Sequence, residues 1–259
     1  MTDPKIEKLK TQLSTLSGLL VFSLLCGNER RSVLKIPVRS KDIEPLWRGC
    51  RDLFPETGFW PVASWEHAFQ HLEIYGMPSE SHLNEVLKKG DSFDLEEWFL
   101  KERTFWKQRL GPESYEAHLA DCHGDWPSEN KSWYRWSPFF IDPPEGDPCI
   151  LLVEAAESWH VPAVLGVHWL GGPNGLTEPE VHVGMLKHLH CLYGAELRTL
   201  ATDSFTVGTT CRPSTKDEAM KLACEFNLYA PDLIGEIVDS LEKLAATLMS
   251  TADWFFWWD

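Results

Sequence analysis

The chain has 259 residues, 43% of them hydrophobic and 24% charged, with 13 Trp and a formal net charge of −15. That composition belongs to an ordered globular chain with enough apolar material for a sizeable core. The charge speaks against nucleic-acid phosphates and anionic membrane surfaces as partners, because the compact basic cluster consists of Arg30, Arg31 and Lys35 alone.

Residues 4–17 place Ile6, Leu9, Leu13 and Leu16 at helical spacing, with Pro4 where a first turn tolerates it. The apolar run from Leu16 to Cys26 is too short to span a bilayer, and its upstream acids are unlike a signal peptide. Leu19–Leu25 and Ser32–Val38 read as a hairpin around Gly27 and Asn28, with Pro37 hinting at an edge strand. A helix follows over 42–53 with Asp42 as its cap, then a short strand from Phe59 to Ala63. Residues 64–74 and 80–89 are helical in pattern. Ser92–Leu110 combines an Asp94 cap with aromatic bulk and a solvated charged face, and Pro112–Leu119 suggests a shorter helix.

From Asp121 to residue 148 the periodicity dissolves into a Trp- and Pro-rich stretch, a functional loop or a connection between two halves. Beyond it, Cys149–Glu154 and Ala163–Trp169 read as strands, and Thr177–Tyr193 as a helix with Thr177 as cap and Gly194 as stop. Glu196–Thr202 and Ser204–Cys211 form a hairpin around Asp203. Helices over Ser214–Asn227 and Ile234–Met249 lead to a final strand, Trp254–Trp258. The expected architecture is α+β. Residues 1–148 form a mixed, helix-rich N-terminal half, and residues 149–259 a ferredoxin-like αβ sandwich in the order β-α-β-β-α-α-β. In that topology the closing WFFWWD lies inside the sheet as a strand buried on both faces; the rival reading is an exposed stacking platform.

His182–Leu200, Cys211–Phe226, Tyr229–Asp232 and the closing WFFWWD resemble the DUF4253 family, whose members typically end in Trp-Trp-Asp. Pro45–Val62 is similar to a stretch that family members carry upstream. The resemblance is strong over residues 158–259 and patchy before. It implies a domain boundary near residue 150 and carries over no catalytic residue, because the family is a domain of unknown function.

Seven Cys at irregular spacing, without a CxxC, argue against a disulfide framework or a zinc ribbon; most are expected as buried thiols in a reducing compartment. Metal pairs on a helix need i,i+3 or i,i+4 spacing, which His182, His188 and His190 do not offer. A metal site would require His168 to join His182 or His190; otherwise these are hydrogen-bonded histidines. Asp121–Asp125 gathers Asp, Cys, His and Asp, but Asp121 and Asp125 would raise the Cys122 thiol pKa, and a polar loop is the default. Walker, GxGxxG, HExxH and GxSxG patterns are missing. Asp121, Asp125, Trp126, Trp133, Trp136 and Asp142 set aromatic anchors in an acidic rim, which suits a protein partner; the plainer reading packs these rings between the two halves.

The expected function is therefore a cytoplasmic, non-enzymatic protein-binding module without a cofactor. Its concrete form is an immunity- or antitoxin-type inhibitor of a basic toxin. The alternatives are a metal-dependent hydrolase using His168, His182 or His190, and a structural subunit of a larger assembly.

Overall fold

The computed structural model describes residues 4–17, 23–27, 32–65, 77–129, 131–134, 147–167, 178–201 and 203–258. In chain order the elements are α1 (Pro4–Ser17), β1 (Ser23–Gly27), β2 (Ser32–Pro37), α2 (Ile43–Thr57), β3 (Phe59–Trp65), α3 (Glu80–Asp91), α4 (Leu95–Leu110) and α5 (Pro112–Asp121). There follow β4 (Pro148–Glu154), α6 (Val161–Val164), α7 (Pro179–Tyr193), β5 (Glu196–Leu200), β6 (Ser204–Gly208), α8 (Lys216–Tyr229), α9 (Leu241–Ser250) and β7 (Asp253–Trp257).

The fold is mixed α+β. Its strands join one seven-stranded sheet in the order β1-β2-β4-β3-β5-β6-β7. All neighbours are antiparallel except β3 and β5, which run parallel. The register is plain in the middle of the sheet, where Val62 of β3 and Lys35 of β2 both pair with Leu151 of β4. β4 lies between two N-terminal strands, and its Cys149–Val153 are buried throughout, as a central strand covered on both faces requires. At the parallel join, the Trp60 indole donates to the Leu197 carbonyl (2.9 Å) and the Ser64 hydroxyl to the Leu200 carbonyl (2.6 Å). α1 packs on α2, and α2 on β3 and β4.

Four expectations are corrected. The strand expected at Ala163–Trp169 is helical over Val161–Val164; Pro162 sits in its first turn, and Val161–Leu165 are all buried. A short run of buried β-branched residues reads alike in either state. The ferredoxin-like order is not the order of this sheet. β3 stands between β4 and β5, and β6 between β5 and β7, because the N-terminal half supplies the partners of β4. Pro37 does not mark an edge, for β2 lies between β1 and β4; the proline is the last residue of the strand, where a missing N–H costs little. The helix expected from Ile234 starts only at Leu241. Gly235, at φ +100°, breaks the chain before it, and the Ser240 hydroxyl caps it by accepting from Lys243 N (3.3 Å). The helix expected over 64–74 and the Thr177 cap fall largely outside the described residues, although Ser64 and Trp65 belong to β3.

The closing strand forms as the sequence indicates, but at the end of the sheet rather than inside it. Its alternation still buries both faces. Trp254, Phe256 and Trp258 point to α8 and meet Phe226 and Tyr229, while Phe255 packs against Tyr134 on the other side. The Tyr134 hydroxyl accepts from Phe255 N (3.2 Å) and so occupies part of the free strand edge. The aromatic cluster is closed by polar contacts: the Trp258 indole donates to the Tyr229 carbonyl (3.0 Å), and His182 Nδ1 lies 2.6 Å from the Tyr229 hydroxyl. Both His182 and Tyr229 are fully buried. Tyr229→Phe is expected to cost about 1–3 kcal/mol, because the histidine loses a buried partner. Urea unfolding measures this, and a variant as stable as wild type would contradict it.

Six cysteine side chains are described, all as free thiols: Cys50, Cys122 and Cys149 are buried, Cys224 half-buried, and Cys191 and Cys211 exposed. The expectation of mostly buried thiols thus fails for the last two, which sit at the end of α7 and just beyond β6. Among the described residues no helix is long and apolar enough to cross a membrane.

Candidate functional site

A wide groove of about 1070 Å³ opens between the α3–α4 corner and the outer faces of α7 and α8. Its shape follows from two glycines. A Cβ on Gly90 of α3 would fall inside the Val183 side chain of α7, and one on Gly184 would lie 2.7 Å from Phe93 Cβ. Without them the α3–α4 corner could not seat against α7, since real side chains do not approach that closely. Asp94 then starts α4 by accepting from Glu97 N (2.9 Å), which projects the first turn of α4 over the groove.

At one end of the groove Asp91 closes α3 and gathers three donors. His160 Nε2 lies 3.1 and 3.2 Å from its two oxygens, the Trp159 indole donates at 3.2 Å, and the Lys187 ammonium donates to its backbone carbonyl at 2.6 Å. Burial works against the Asp91 charge, but the His160 and Trp159 hydrogen bonds and the Lys187 charge outweigh it and hold the carboxyl below its usual range. On α8, Glu225 lies 3.6 Å from His188 Nε2 and 3.8 Å from the Lys221 ammonium. Along α4, Glu97 pairs with Lys101 at 2.7 Å, whereas Glu96 has no ion pair among the described residues. Between these charges Leu100 stands 63% exposed, the most exposed large apolar side chain described. Asp91, Asp94, Glu96, Glu97 and Glu225 outnumber the Arg103, Lys187 and Lys221 cations in the lining, and a rim with such an acidic excess around one apolar contact is the chemistry of a surface that steers a cation-rich partner and then holds it by desolvation.

The inner face of α4 carries a different acid. Glu102 is buried, its Oε2 has no hydrogen-bond partner among the described residues, and burial pushes its pKa up to about 7. Because the folded pKa lies above the ordinary 4.5, the folded state binds the proton more tightly. Stability is therefore expected to fall as pH rises from the ordinary value through about 7, by on the order of 2 kcal/mol, and then to level off. Glu102→Gln should remove that fall. Urea unfolding at several pH values measures it, and the same pH dependence in both proteins would contradict it.

None of the described candidate partner or metal residues singled out in the sequence lines this groove. Asp121 ends α5 and Asp125 follows it in the connecting loop, both exposed and without an ion pair among the described residues. Trp126 and Trp133 are half-buried, and lysines of the same chain cover their rings. Lys216 lies 4.3 Å from the Trp126 centroid, and Lys131 and Lys243 lie 4.5 and 5.1 Å from that of Trp133. The loop is tied to α9: the Glu242 carboxylate accepts from Gly124 N (2.7 Å) and meets His123 Nδ1 (2.7 Å), while the Thr247 hydroxyl accepts from Trp133 N (2.9 Å). Burial and then the Asp121 charge push the Cys122 thiol up, which keeps it protonated and a poor nucleophile. Trp136, Asp142 and His168 lie outside the described residues. His182 belongs to the aromatic cluster, and His190 sends Nδ1 to the Ala195 carbonyl (3.0 Å) with its ring 4.7 Å from Trp159, so α7 gives the two histidines different surroundings. Among the described residues no group of three or more His, Cys, Asp or Glu is placed to hold a metal ion.

The groove itself was not singled out in the sequence. Its residues come from three separated stretches, and its local signals are Leu100 on an otherwise charged face of α4 and the helical glycines Gly90 and Gly184. Neither a curated protein nor a solved structure matches the chain. The model of the family described as a domain of unknown function, DUF4253, matches residues 149–259, the family to which the sequence resemblance pointed.

Proposed function

We propose that the protein is a non-enzymatic binding module whose α4 groove receives a basic protein, in the manner of a cytoplasmic immunity- or antitoxin-type inhibitor. The observation that carries this reading is the exposed Leu100 set among Asp94, Glu96 and Glu97 in a chain of net charge −15. Asp94, Glu96 and Glu97 supply long-range attraction, to which the exposed Asp121 and Asp125 add as part of the chain's overall negative field. Leu100 and the half-buried Phe93 supply the surface that loses water on contact. Trp126 and Trp133, each under a lysine, fix the loop that carries the outer acids.

The test compares association kinetics of wild type and a Glu96→Lys/Glu97→Lys variant with the basic protein that co-purifies from the source cells at low salt. The double reversal is expected to slow association at least about tenfold at low salt and to lose most of that difference at 0.5 M salt. Leu100→Asp should instead speed dissociation. Association unchanged by the charge reversal would refute the groove as the docking surface.

A further inference from the structure

On the other side of Arg103 a second concavity, about 520 Å³, lies among α4, α5, α8 and the start of α9. The groove mixes five carboxylates with Arg103, Lys187, His188 and Lys221, and this second concavity differs from it in its acids. Three basic side chains line it, Arg103, Lys107 and His123, and no Asp or Glu is among its lining residues. In a chain with 39 acidic residues against 24 Lys and Arg, a concavity without a carboxylate is unexpected on composition alone. Its apolar side is formed by Leu119, Leu228 and Leu241.

The three basic side chains are not equivalent. Lys107 lies 3.2 Å from Glu116, and His123 turns Nδ1 to Glu242 at 2.7 Å. The Arg103 guanidinium makes no hydrogen bond or ion pair among the described residues. A guanidinium presents five N–H donors in a planar fork that matches a carboxylate with two parallel hydrogen bonds. The Tyr115 phenol, buried in the same wall, holds its proton more tightly than usual because of that burial and is a further donor. The volume falls in the range of small-molecule sites, about 300–1,000 Å³, and apolar walls with a few convergent polar groups are what such sites present.

We infer that this concavity binds a small organic carboxylate carried on an apolar body, its carboxylate on Arg103 and its body against Leu119, Leu228 and Leu241. The fork fixes one end and the leucines reward an apolar tail, so a neutral ligand of equal length loses the charged end of the recognition. The site is separate from the groove reading, although Arg103 borders both. Glu96, on the first turn of α4, lines the groove alone.

Isothermal titration of the full chain with decanoate tests the inference, with decanol as the neutral probe of equal length. One decanoate per chain is expected, with decanol at least tenfold weaker. Arg103→Ala should weaken decanoate at least tenfold and leave decanol unchanged; because Arg103 is exposed, its melting temperature should match wild type. Leu228→Asp should weaken both ligands. Glu96→Lys should leave decanoate binding intact, which separates failure of this site from failure of the groove. No decanoate binding, equal affinity for decanoate and decanol, or undiminished decanoate affinity in Arg103→Ala would overturn the inference.

Discussion

Trp258→Ala is expected to destabilise the protein by about 3–5 kcal/mol, the range for emptying a large aromatic from a packed core. Trp258 is 1% exposed and its ring lies 5.2–6.3 Å from those of His182, Phe205, Tyr229 and Phe256. Its indole also satisfies the Tyr229 carbonyl, which the substitution leaves buried without that donor. In a chain of this size such a loss lowers the melting temperature by roughly 8–15 °C. Trp257 supplies the control: it alternates to the other face and is only half-buried, so Trp257→Ala should cost clearly less. Calorimetric or urea unfolding decides. Equal small effects of the two substitutions would mean that the closing strand is not seated against α8 as described.

Gly184→Ala is the second large effect, and its sign is opposite to helix propensity. Alanine within a helix normally stabilises by up to about 1 kcal/mol relative to glycine. Here the added methyl would lie 2.7 Å from Phe93 Cβ and 2.9 Å from Phe93 Cδ1, so the α3–α4 corner must lift away from α7. We expect a net loss of about 1–3 kcal/mol from overpacking, together with weaker partner binding, because Phe93 and Gly184 both line the groove. Leu192→Ala, on the same helix but 55% exposed, should change stability by no more than about 0.5 kcal/mol. A Gly184→Ala protein more stable than wild type would refute the close crossing.

Elements with their own local punctuation were legible in the sequence. Gly194 ends α7 in the left-handed region at φ +61°, and the hairpin around Asp203 forms as read. Asp94 caps α4 through its side chain. Asp42, by contrast, heads α2 without a side-chain cap, because its carboxylate accepts from Arg39 at 2.7 Å instead. The strand order was not legible. It depends on β3 entering between β4 and β5, a pairing of residues 59–65 with 148–154 and 199 that no local pattern records. The same limit hid the groove, whose walls at 90–103, 184–191 and 221–225 meet only in the folded chain. Two hints were present. Gly90 and Gly184 sit inside helical patterns, where a glycine often marks close approach. The aromatic loop was legible as composition, but the lysines that cover Trp126 and Trp133 come in part from α8 and α9, far along the chain.

The account rests on a basic protein docking at the acidic groove, and a native mass spectrum of the chain isolated from its source cells at low salt tests that most directly. The predicted spectrum shows the chain with one basic protein at fixed stoichiometry, lost when Glu96→Lys/Glu97→Lys replaces wild type. A spectrum of the chain without a basic protein, or one in which the charge-reversed variant retains it equally, would contradict the account.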